Sequence, residues 1–375
     1  MKKRMVDLFA GCGGLGLGME QAGFEVVLAS DIDSYCMETY LLNHNYKDNR
    51  TFVGDIADLN KNLDDFDSLN KEIDLVSGGP PCQGFSTANR QRIIDDPRNI
   101  LYKEYLRFLE NIRPKFFIIE NVRGMMNKMS EITEDIETAL GKEYNVSFSL
   151  FNAKNFGVPQ NRERLIIIGN RVGVDSEEII KDVSEKTNNV KKFVLKDALS
   201  GLPELKPNRI RNSRKIENDD IGYFKREWEY TVNDYYKFIN GNRMVSYIYN
   251  HRNRYNNDRD IEIFTRLPQG ADSLHESIED IMPYKSRNDI FKDKYYKLKE
   301  DDVCKTITSH MKSDCNMYIH PTQPRGLSPR EAARIQTFPD YFVFYGPQNN
   351  WYKQIGNAVP VKMAEAIGKE VIDYL

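Results

Sequence analysis

Cysteine is scarce in this sequence of 375 residues, and its five copies contain no C-x-x-C pair. An odd number of cysteines without paired spacing is not the pattern of a disulfide-stabilised secreted domain. The chain opens on residues 1–5 (MKKRM), which lead directly into an apolar segment and carry no signal-like stretch. We therefore expect a reducing, cytoplasmic compartment.

Metal-ligand patterns and long apolar runs are lacking as well. The only candidate ligand set has spacings that match no common zinc pattern; it consists of Cys304, His310, Cys315 and His320. No apolar run approaches the length needed to cross a membrane. We therefore expect no bound metal and no membrane partner.

An excess of charge of one sign is also lacking. The 53 lysines and arginines nearly balance the 56 aspartates and glutamates, so the overall charge indicates no nucleic-acid partner. A local excess exists, because residues 206–259 hold 12 basic and 7 acidic side chains with aromatic residues between them. This mixture suits contacts to phosphates and bases, and it suits a solvated surface over an aromatic core equally well.

The first half of the chain alternates short apolar runs with amphipathic stretches. Strands are predicted at 5–9, 26–29, 73–76 and 116–119, and helices at 34–43 and 99–111. This alternation predicts an α/β fold with a parallel sheet and helices on both faces. In such sheets ligands bind beyond the carboxyl ends of the strands. The length suggests about two domains.

Three later segments also carry structural signals. Residues 145–151 and 165–169 predict two closely joined strands that form an antiparallel edge of the sheet. Ser328, Pro329 and Glu331 have the spacing of a helix N-cap, a first-turn proline and a capping box. Residues 354–360 predict a turn, and residues 361–374 predict a closing helix.

The loop at residues 78–86 (GGPPCQGFS) places a single cysteine just past a predicted strand. Glycine lets the backbone approach a ligand closely, and proline restricts the loop. A thiol held rigidly at the end of a strand is well placed to act as a nucleophile, so Cys82 is a candidate catalytic residue. Taken alone, an isolated cysteine is more often a small buried apolar residue.

A second loop carries the G-x-G-x-x-G pattern at Gly11, Gly13 and Gly16, directly after the first predicted strand. The pattern fits a nicotinamide cofactor, and it fits any other nucleoside-containing cofactor, including S-adenosylmethionine. Acidic side chains are candidates to bind ribose, adenine or a cationic sulfonium: Asp31 and Asp33 after the second predicted strand, and Asp7 and Asp55 as further candidates at loop positions.

Six motifs follow one another along the chain: 7–14 (DLFAGCGG), 79–86 (GPPCQGFS), 120–122 (ENV), 160–164 (QNRER), 325–334 (RGLSPREAAR) and 354–357 (QIGN). In this order they resemble the cytosine C5 DNA methyltransferases of bacterial restriction–modification systems. The resemblance implies a Rossmann-like, S-adenosylmethionine-binding catalytic domain at residues 1–185 and 325–375. It implies a smaller, irregular target-recognition domain at residues 186–324.

The resemblance also implies an activity and a setting. The enzyme would transfer a methyl group from S-adenosylmethionine to carbon 5 of a flipped-out cytosine in a specific double-stranded DNA sequence, leaving S-adenosylhomocysteine. We expect a monomer that protects host DNA, with a cognate restriction endonuclease encoded separately. We expect it in the cytoplasm, bacterial or phage-encoded and associated with the nucleoid.

The resemblance gives four positions a catalytic role: Cys82, Glu120, Arg162 and Arg164. Cys82 would add to carbon 6 of the ring, which makes carbon 5 nucleophilic. Glu120 would hold the ring at N3 and at the exocyclic amine, and it must carry a proton to donate to N3. Arg164, with Arg162 nearby, would meet the O2 oxygen and oppose the developing charge.

The resemblance further implies two sets of binding residues. The cofactor set is Asp7, Phe9, Gly11, Gly13, Gly14, Asp31, Ile32, Asp55, Ile56, Pro80 and Asn357. Ile32 departs from the family, in which we expect an aromatic residue beside the ribose-binding acid, and it would pack on the adenine instead. The DNA set lies on the loop from residue 83 to 99, which we expect to close over DNA; it is Gln83, Ser86, Arg90, Arg92 and Arg98.

Three other functions share parts of these patterns. An RNA cytosine methyltransferase acting on transfer RNA would use the same catalytic plan, although the related enzymes lack a basic insert of this length. A nicotinamide-dependent oxidoreductase would explain the glycine loop but not Cys82, Glu120 and Arg164. A catalytically inactive DNA-binding module is disfavoured because every reactive residue is present.

Overall fold

The computed structural model describes residues 2–44, 50–81, 99–211, 216–283 and 294–375. These residues form two compact units. The first comprises residues 1–157, 162–191 and 358–375, and the second comprises residues 158–161 and 192–357.

The first unit is built around a seven-stranded sheet of described residues with the order β3-β2-β1-β4-β5-β7-β6. The strands are β1 (Lys3–Leu8), β2 (Phe24–Asp31), β3 (Thr51–Val53), β4 (Leu75–Gly78), β5 (Phe116–Asn121), β6 (Asn145–Asn152) and β7 (Glu163–Asn170). Strands β1 to β5 pair in parallel. Strand β7 pairs antiparallel with both β5 and β6. The sheet confirms the predicted α/β class and the predicted antiparallel edge.

Helices follow most strands of the first unit: α1 (Gly14–Ala22), α2 (Ser34–His44), α3 (Ile56–Lys61), α4 (Ile100–Ile112), α5 (Met129–Leu140) and α6 (Ser176–Lys186). The parallel strands are mostly apolar in their buried interiors because helices cover the sheet; Leu75, Val76 and Ile118, for example, are fully buried. The buried strand interiors fix the register, so the loops after β1, β2, β4 and β5 reach the same edge of the sheet.

The second unit has less regular structure among its described residues. Its elements are α7 (Leu195–Leu199), β8 (Gly222–Glu227), α8 (Asp234–Asn240), β9 (Tyr247–Arg252), α9 (Asp258–Arg266), α10 (Pro329–Ile335) and α11 (Gln348–Asn357). Strands β8 and β9 pair antiparallel. Helix α10 begins as predicted, because Ser328 caps it, Pro329 is its first residue and Glu331 completes a capping box.

Buried ion pairs hold the second unit together around α10. Arg325 binds Glu331 at 2.6 Å, and Arg334 lies 3.1 Å from Asp340, with all four side chains buried. Residues 325–357 belong to this second compact unit, whereas the predicted catalytic domain included them. The functional division between a catalytic and a target-recognition domain stays a prediction.

The chain returns to the first unit in helix α12 (Val361–Asp373), close to the predicted closing helix. Glycines allow α12 to pack closely on α1, since a Cβ on Gly18 would lie 2.4 Å from the Cβ of Ala364. The predicted turn at 354–360 is wrong in its first half, because residues 354–357 form the last turn of α11. Gly356 is needed there for close approach to the backbone of Thr308, since its Cβ would lie 2.2 Å from the Thr308 carbonyl carbon.

Candidate active site

The glycine loop follows β1 and contains three residues in the left-handed region. Gly11 has φ 55° and Gly13 has φ 94°, which glycine adopts without strain. Phe9 has φ 52°, and a bulky residue in this conformation carries strain of about 1–3 kcal/mol. Such outliers cluster at ligand sites. Gly14 begins α1 immediately after this loop.

Asp31, at the end of β2, fixes the glycine loop. One carboxylate oxygen accepts from the backbone N–H of Gly11 at 2.9 Å, and the other accepts from the N–H of Asp33 at 2.8 Å. The next side chain, Ile32, is 72% exposed. An exposed isoleucine beside a glycine loop provides an apolar surface of the kind that a planar ring covers.

Asp55 and Ile56 have structural roles of their own after β3. Asp55 is the N-cap of α3, and its carboxylate accepts from the N–H of Ala57 at 2.8 Å. Ile56 is buried in the core of the first unit. Their predicted contacts with the cofactor stay predictions.

Asp7 lies inside β1, and its side chain is fully buried. The predicted loop position of Asp7 is therefore wrong. Two hydroxyls donate to it: Tyr40 Oη to Oδ2 at 3.2 Å, and Ser77 Oγ to Oδ1 at 3.0 Å. Burial raises the pKa of Asp7 to about 7, although the hydrogen bonds from Ser77 and Tyr40 oppose this shift.

Glu120 and Arg164 meet at the carboxyl end of β5. Arg164 Nε lies 2.7 Å from Glu120 Oε1, and the two side chains are only 15% and 13% exposed. Gly79 lies against the same carboxylate, since a Cβ on it would be 2.9 Å from Glu120 Oε2. Glycine at position 79 therefore allows the loop that leads to residue 82 to pass directly beside the carboxylate.

The same loop is tied to β5 by a hydrogen bond from Asn121 Nδ2 to the Pro80 carbonyl oxygen at 2.9 Å. Pro80 is thus placed by the strand that carries Glu120. The predicted contact of Pro80 with the cofactor stays a prediction.

Arg162 is placed differently from Arg164. It is buried, and its Nη2 donates to the carbonyl oxygen of Ala358 at 2.9 Å. Arg162 thus ties the start of β7 to the segment before α12 within the first unit. Of the two predicted arginines, the structure brings Arg164 to Glu120.

Several predicted residues lie outside the described part of the chain: Cys82, Gln83, Ser86, Arg90, Arg92 and Arg98. Asn357 is described as the exposed last residue of α11 and belongs to the second unit. Its predicted role beside the cofactor stays a prediction.

The other cysteines are Cys12, Cys36, Cys304 and Cys315, and all are buried. Burial raises the pKa of the thiols of Cys12, Cys304 and Cys315. Within the described ranges, no cluster of three or more histidine, cysteine, aspartate or glutamate side chains could hold a metal. Over the same ranges, no helix is long and apolar enough to span a bilayer.

Sequence reasoning missed Tyr40 and Ser77, which contact Asp7, and the role of Gly79 beside Glu120. Ser77 and Gly79 carried a weak signal, since both lie at the end of a predicted strand next to the cysteine loop. Tyr40 carried none, because a tyrosine within an amphipathic helix is ordinarily a core residue.

Comparison with known proteins identifies the family. The model of the C-5 cytosine-specific DNA methylase family matches residues 3–373. The type II methyltransferase M.FnuDI of Fusobacterium nucleatum is 33% identical over 99% of this chain and 95% of its own length. The type II methyltransferase M1.HphI of Haemophilus parahaemolyticus is 32% identical over 99% of this chain and 87% of its own.

Solved structures agree with this assignment. A chain described as a DNA modification methyltransferase encoded within a prophage of E. coli gives a TM-score of 0.75 at 27% identity, covering 99% of both chains. The Dnmt2 methyltransferase of S. pombe, at 18% identity and a TM-score of 0.57 over 99% of both chains, shares the fold.

The six motifs occur in family order, and the family match runs through all of them, which removes the nicotinamide oxidoreductase alternative. The chain therefore belongs to the C-5 cytosine-specific DNA methylase family and is an S-adenosylmethionine-dependent DNA (cytosine-5) methyltransferase.

Proposed function

We propose that this enzyme methylates carbon 5 of a flipped-out cytosine through a temporary covalent bond between Cys82 Sγ and carbon 6 of the ring. The observation that supports this most directly is the ion pair of Glu120 and Arg164 at the end of β5. It lies beside Gly79, three residues before Cys82 in the chain.

The residues act on the base in a defined order. The Cys82 thiolate adds to carbon 6, and the electron pair of the 5,6 double bond makes carbon 5 nucleophilic. Glu120 binds N3 and the exocyclic amine, while Arg164 opposes the negative charge that develops toward O2. When bound, S-adenosylmethionine supplies the electrophilic methyl group. A base then removes the carbon 5 proton, the double bond re-forms and the thiolate leaves.

Cys82 is the best nucleophile candidate partly because of what surrounds the other thiols. Cys12, Cys304 and Cys315 are buried, and burial raises the pKa of each, which keeps them as thiols. Cys36 is buried as well. A reactive thiolate needs access to the substrate, which none of these four positions offers.

The glycine loop fits S-adenosylmethionine. A Cβ placed on Gly11 would meet nothing within 4 Å, so the outer side of the loop is open to a ligand. Asp31 and the exposed Ile32 lie at the adjoining end of β2. We propose that the cofactor's adenosine lies on this edge, with Phe9, Gly13, Gly14, Asp55, Ile56 and Pro80 as the remaining contacts.

The setting is proposed from the relatives, which are named as bacterial type II methyltransferases. We propose that the enzyme protects host DNA in the cytoplasm, acts as a monomer and has a separately encoded cognate endonuclease. Residues 186–324 would select the DNA sequence by base contacts in the major groove. The loop with Gln83, Ser86, Arg90, Arg92 and Arg98 would hold the opened duplex.

Trapping the covalent bond tests the mechanism. DNA containing 5-fluorocytosine has no carbon 5 proton to lose, so the wild-type enzyme with S-adenosylmethionine should form a complex that survives denaturing electrophoresis. Cys82→Ser should form no such complex and should lose at least about 1,000-fold in kcat. Cys304→Ala is the matched control and should form the complex. A trapped complex with Cys82→Ser would refute the proposal.

The roles of Glu120 and Arg164 are tested by Glu120→Gln and Arg164→Lys. Each should lower kcat by about 100- to 1,000-fold, because glutamine has no acid proton to donate to N3 and lysine lacks the planar guanidinium that faces O2. The Kd for DNA should change little. Arg162→Lys should instead act mainly on thermal stability, since Arg162 binds the Ala358 carbonyl.

A further inference from the structure

Helix α2 packs against Gly13 of the cofactor loop and against Gly16 in the first turn of α1. A Cβ on Gly13 would lie 2.5 Å from His44 Nε2 and 2.9 Å from two ring carbons of Tyr40. A Cβ on Gly16 would lie 2.4 Å from Tyr40 Oη and 2.5 Å from Asp7 Oδ2. Since real Cβ atoms do not approach other atoms so closely, a side chain at either position would require Tyr40, His44 or Asp7 to move. Glycine at both positions lets these side chains pack directly against the backbone.

The α2 side chains are connected to both sides of the loop. Tyr40 Oη donates to Asp7 Oδ2 at 3.2 Å, and Asp7 lies near the end of β1, before the loop. His44 Nδ1 is hydrogen-bonded to Glu20 Oε2 at 2.5 Å, and Glu20 lies on α1, after the loop. The Tyr40 and His44 rings stack with centroids 3.9 Å apart and planes 13° apart. The stacked pair thus joins β1 to α1 behind the loop.

The loop itself is tight. The N–H of Gly13 donates to the Ala10 carbonyl at 2.9 Å, and the N–H of Leu17 donates to the Gly13 carbonyl at 2.8 Å. Phe9 keeps a left-handed conformation that is unfavourable without support. Gly11 faces open space, so the inner side of the loop is closed by α2 while the outer side is free for a ligand.

We propose that Tyr40 and His44 are positioning residues for S-adenosylmethionine, which hold the loop at residues 9–13 in its binding conformation before the cofactor arrives. The proposal rests on the placement of the cofactor at this loop. A pre-formed loop raises affinity because the cost of ordering it is met on folding rather than on binding. Neither side chain touches the cofactor, since both lie on the inner side of the loop.

Tyr40→Phe tests the proposal with the smallest change, because it keeps the ring and removes only the hydroxyl that binds Asp7. The Kd for S-adenosylhomocysteine, measured by calorimetry, should rise about 3- to 10-fold, as expected for one lost hydrogen bond to a carboxyl group. The KM for S-adenosylmethionine should rise similarly. The kcat at saturating cofactor and the Kd for DNA should stay unchanged.

Tyr144→Phe is the matched control. Its hydroxyl donates to the Pro114 carbonyl oxygen at 2.5 Å within the same unit, away from the glycine loop. This variant should lose thermal stability as Tyr40→Phe does, with an unchanged Kd for S-adenosylhomocysteine. The comparison separates a positioning role from a loss of stability alone.

His44→Phe is the second variant, because it keeps the ring stack and removes the hydrogen bond to Glu20. It should also weaken binding of S-adenosylhomocysteine by about 3- to 10-fold. If both α2 variants bind like the wild type while their melting temperatures fall, the α2 side chains serve stability alone and the proposal is wrong. If the wild-type protein does not bind S-adenosylhomocysteine, the cofactor placement fails instead.

Discussion

The two compact units bury a carboxyl group in contrasting surroundings. Asp7 in the first unit is held by the hydroxyls of Tyr40 and Ser77, and burial raises its pKa to about 7. Glu331 in the second unit is buried as completely, and burial alone would raise its pKa. The charge and hydrogen bonds of Arg325 instead lower the pKa of Glu331 well below its usual range. Partner charge, rather than depth, decides the protonation state of each group.

The contrast extends to how each unit is built. The first unit is built on a largely apolar sheet, in which Asp7 is a buried carboxyl group with a raised pKa. The second unit has fewer regular elements and relies on guanidinium groups that bind carboxylates and carbonyl oxygens; Arg330, for example, donates to the carbonyls of Tyr249 and Pro339. We therefore expect the stability of the first unit to fall when a buried apolar side chain is shortened. We expect the stability of the second unit to fall when one member of a buried ion pair is removed.

Removing one partner of the Arg325–Glu331 pair should have the largest effect. Glu331→Ala leaves a buried guanidinium without its carboxylate and removes the capping box of α10. The free energy of unfolding should therefore fall by about 3–5 kcal/mol. Urea unfolding followed by tryptophan fluorescence measures this, because both tryptophans, Trp228 and Trp351, lie in the second unit.

Two controls accompany this measurement. Arg209→Ala breaks an exposed pair with Asp258 and should cost less than about 1 kcal/mol. The double variant Arg325→Met with Glu331→Leu should be more stable than Glu331→Ala, because no charge is left unpaired. Equal losses for Glu331→Ala and Arg209→Ala would contradict a second unit held together by buried charge.

Acid should destabilise the second unit. Burial lowers the pKa of His251 to about 4 and of His320 to about 3, so the unfolded chain binds more protons below pH 6.5. Stability is fully present above pH 6.5 and falls toward pH 4, by about 1.4 kcal/mol per pH unit for each histidine. Urea midpoints at pH 7, 6 and 5 give the slope.

Two histidine variants check that slope. His251→Gln should about halve it, whereas His310→Gln, which changes an exposed side chain, should leave it unchanged. An acid slope that survives in His251→Gln at its full value would assign the loss to other groups.

A rise in pH should destabilise the first unit, whereas a fall in pH destabilises the second. The pKa of Asp7 is raised in the folded state, so its stabilising contribution is complete below pH 4 and is lost as the pH rises through about 7. The variant Asp7→Asn should therefore gain on the wild type by about 1.4 kcal/mol per pH unit between pH 5 and 7. Circular dichroism of both proteins in urea gives the difference, and a difference independent of pH would contradict the assignment.

A small volume change in the sheet should have the smallest effect. Ile118→Val removes one methylene group from the fully buried strand β5 and should cost about 1 kcal/mol. The same substitution at exposed Ile32 should cost less than about 0.5 kcal/mol. A loss at Ile118 as large as that of Glu331→Ala would erase the proposed difference between the units.

The regular elements of the first unit could be predicted because their signals are local. Helix α2 begins at Ser34 as predicted and extends one residue beyond the predicted end, and the antiparallel pair β6–β7 lies where two apolar runs adjoin. The short strand β3 gave no usable periodicity over three residues. The prediction at the end of α11 was wrong, because Gly356 indicated a turn. In the structure this glycine lets the helix pack closely against the backbone of Thr308.

For the candidate site, the sequence predicted which residues take part but not how they contact one another. The motifs identified Glu120 and Arg164, which are 44 positions apart, as members of one family pattern. Their 2.7 Å contact depends on β5 and β7 lying side by side in the sheet. The bond from Arg162 to Ala358 is likewise absent from any local pattern.

The sequence by itself determined the α/β class, the order of the motifs and the family, because backbone periodicity and short loops act over a few neighbouring residues. Only the tertiary structure decided which side chain closes the inner face of the glycine loop and which carboxyl group meets a cation. Those choices place Tyr40 against Asp7 and Arg325 against Glu331. They depend on strand order and on exclusion of water, which strengthens each buried polar contact and which no stretch of sequence specifies alone.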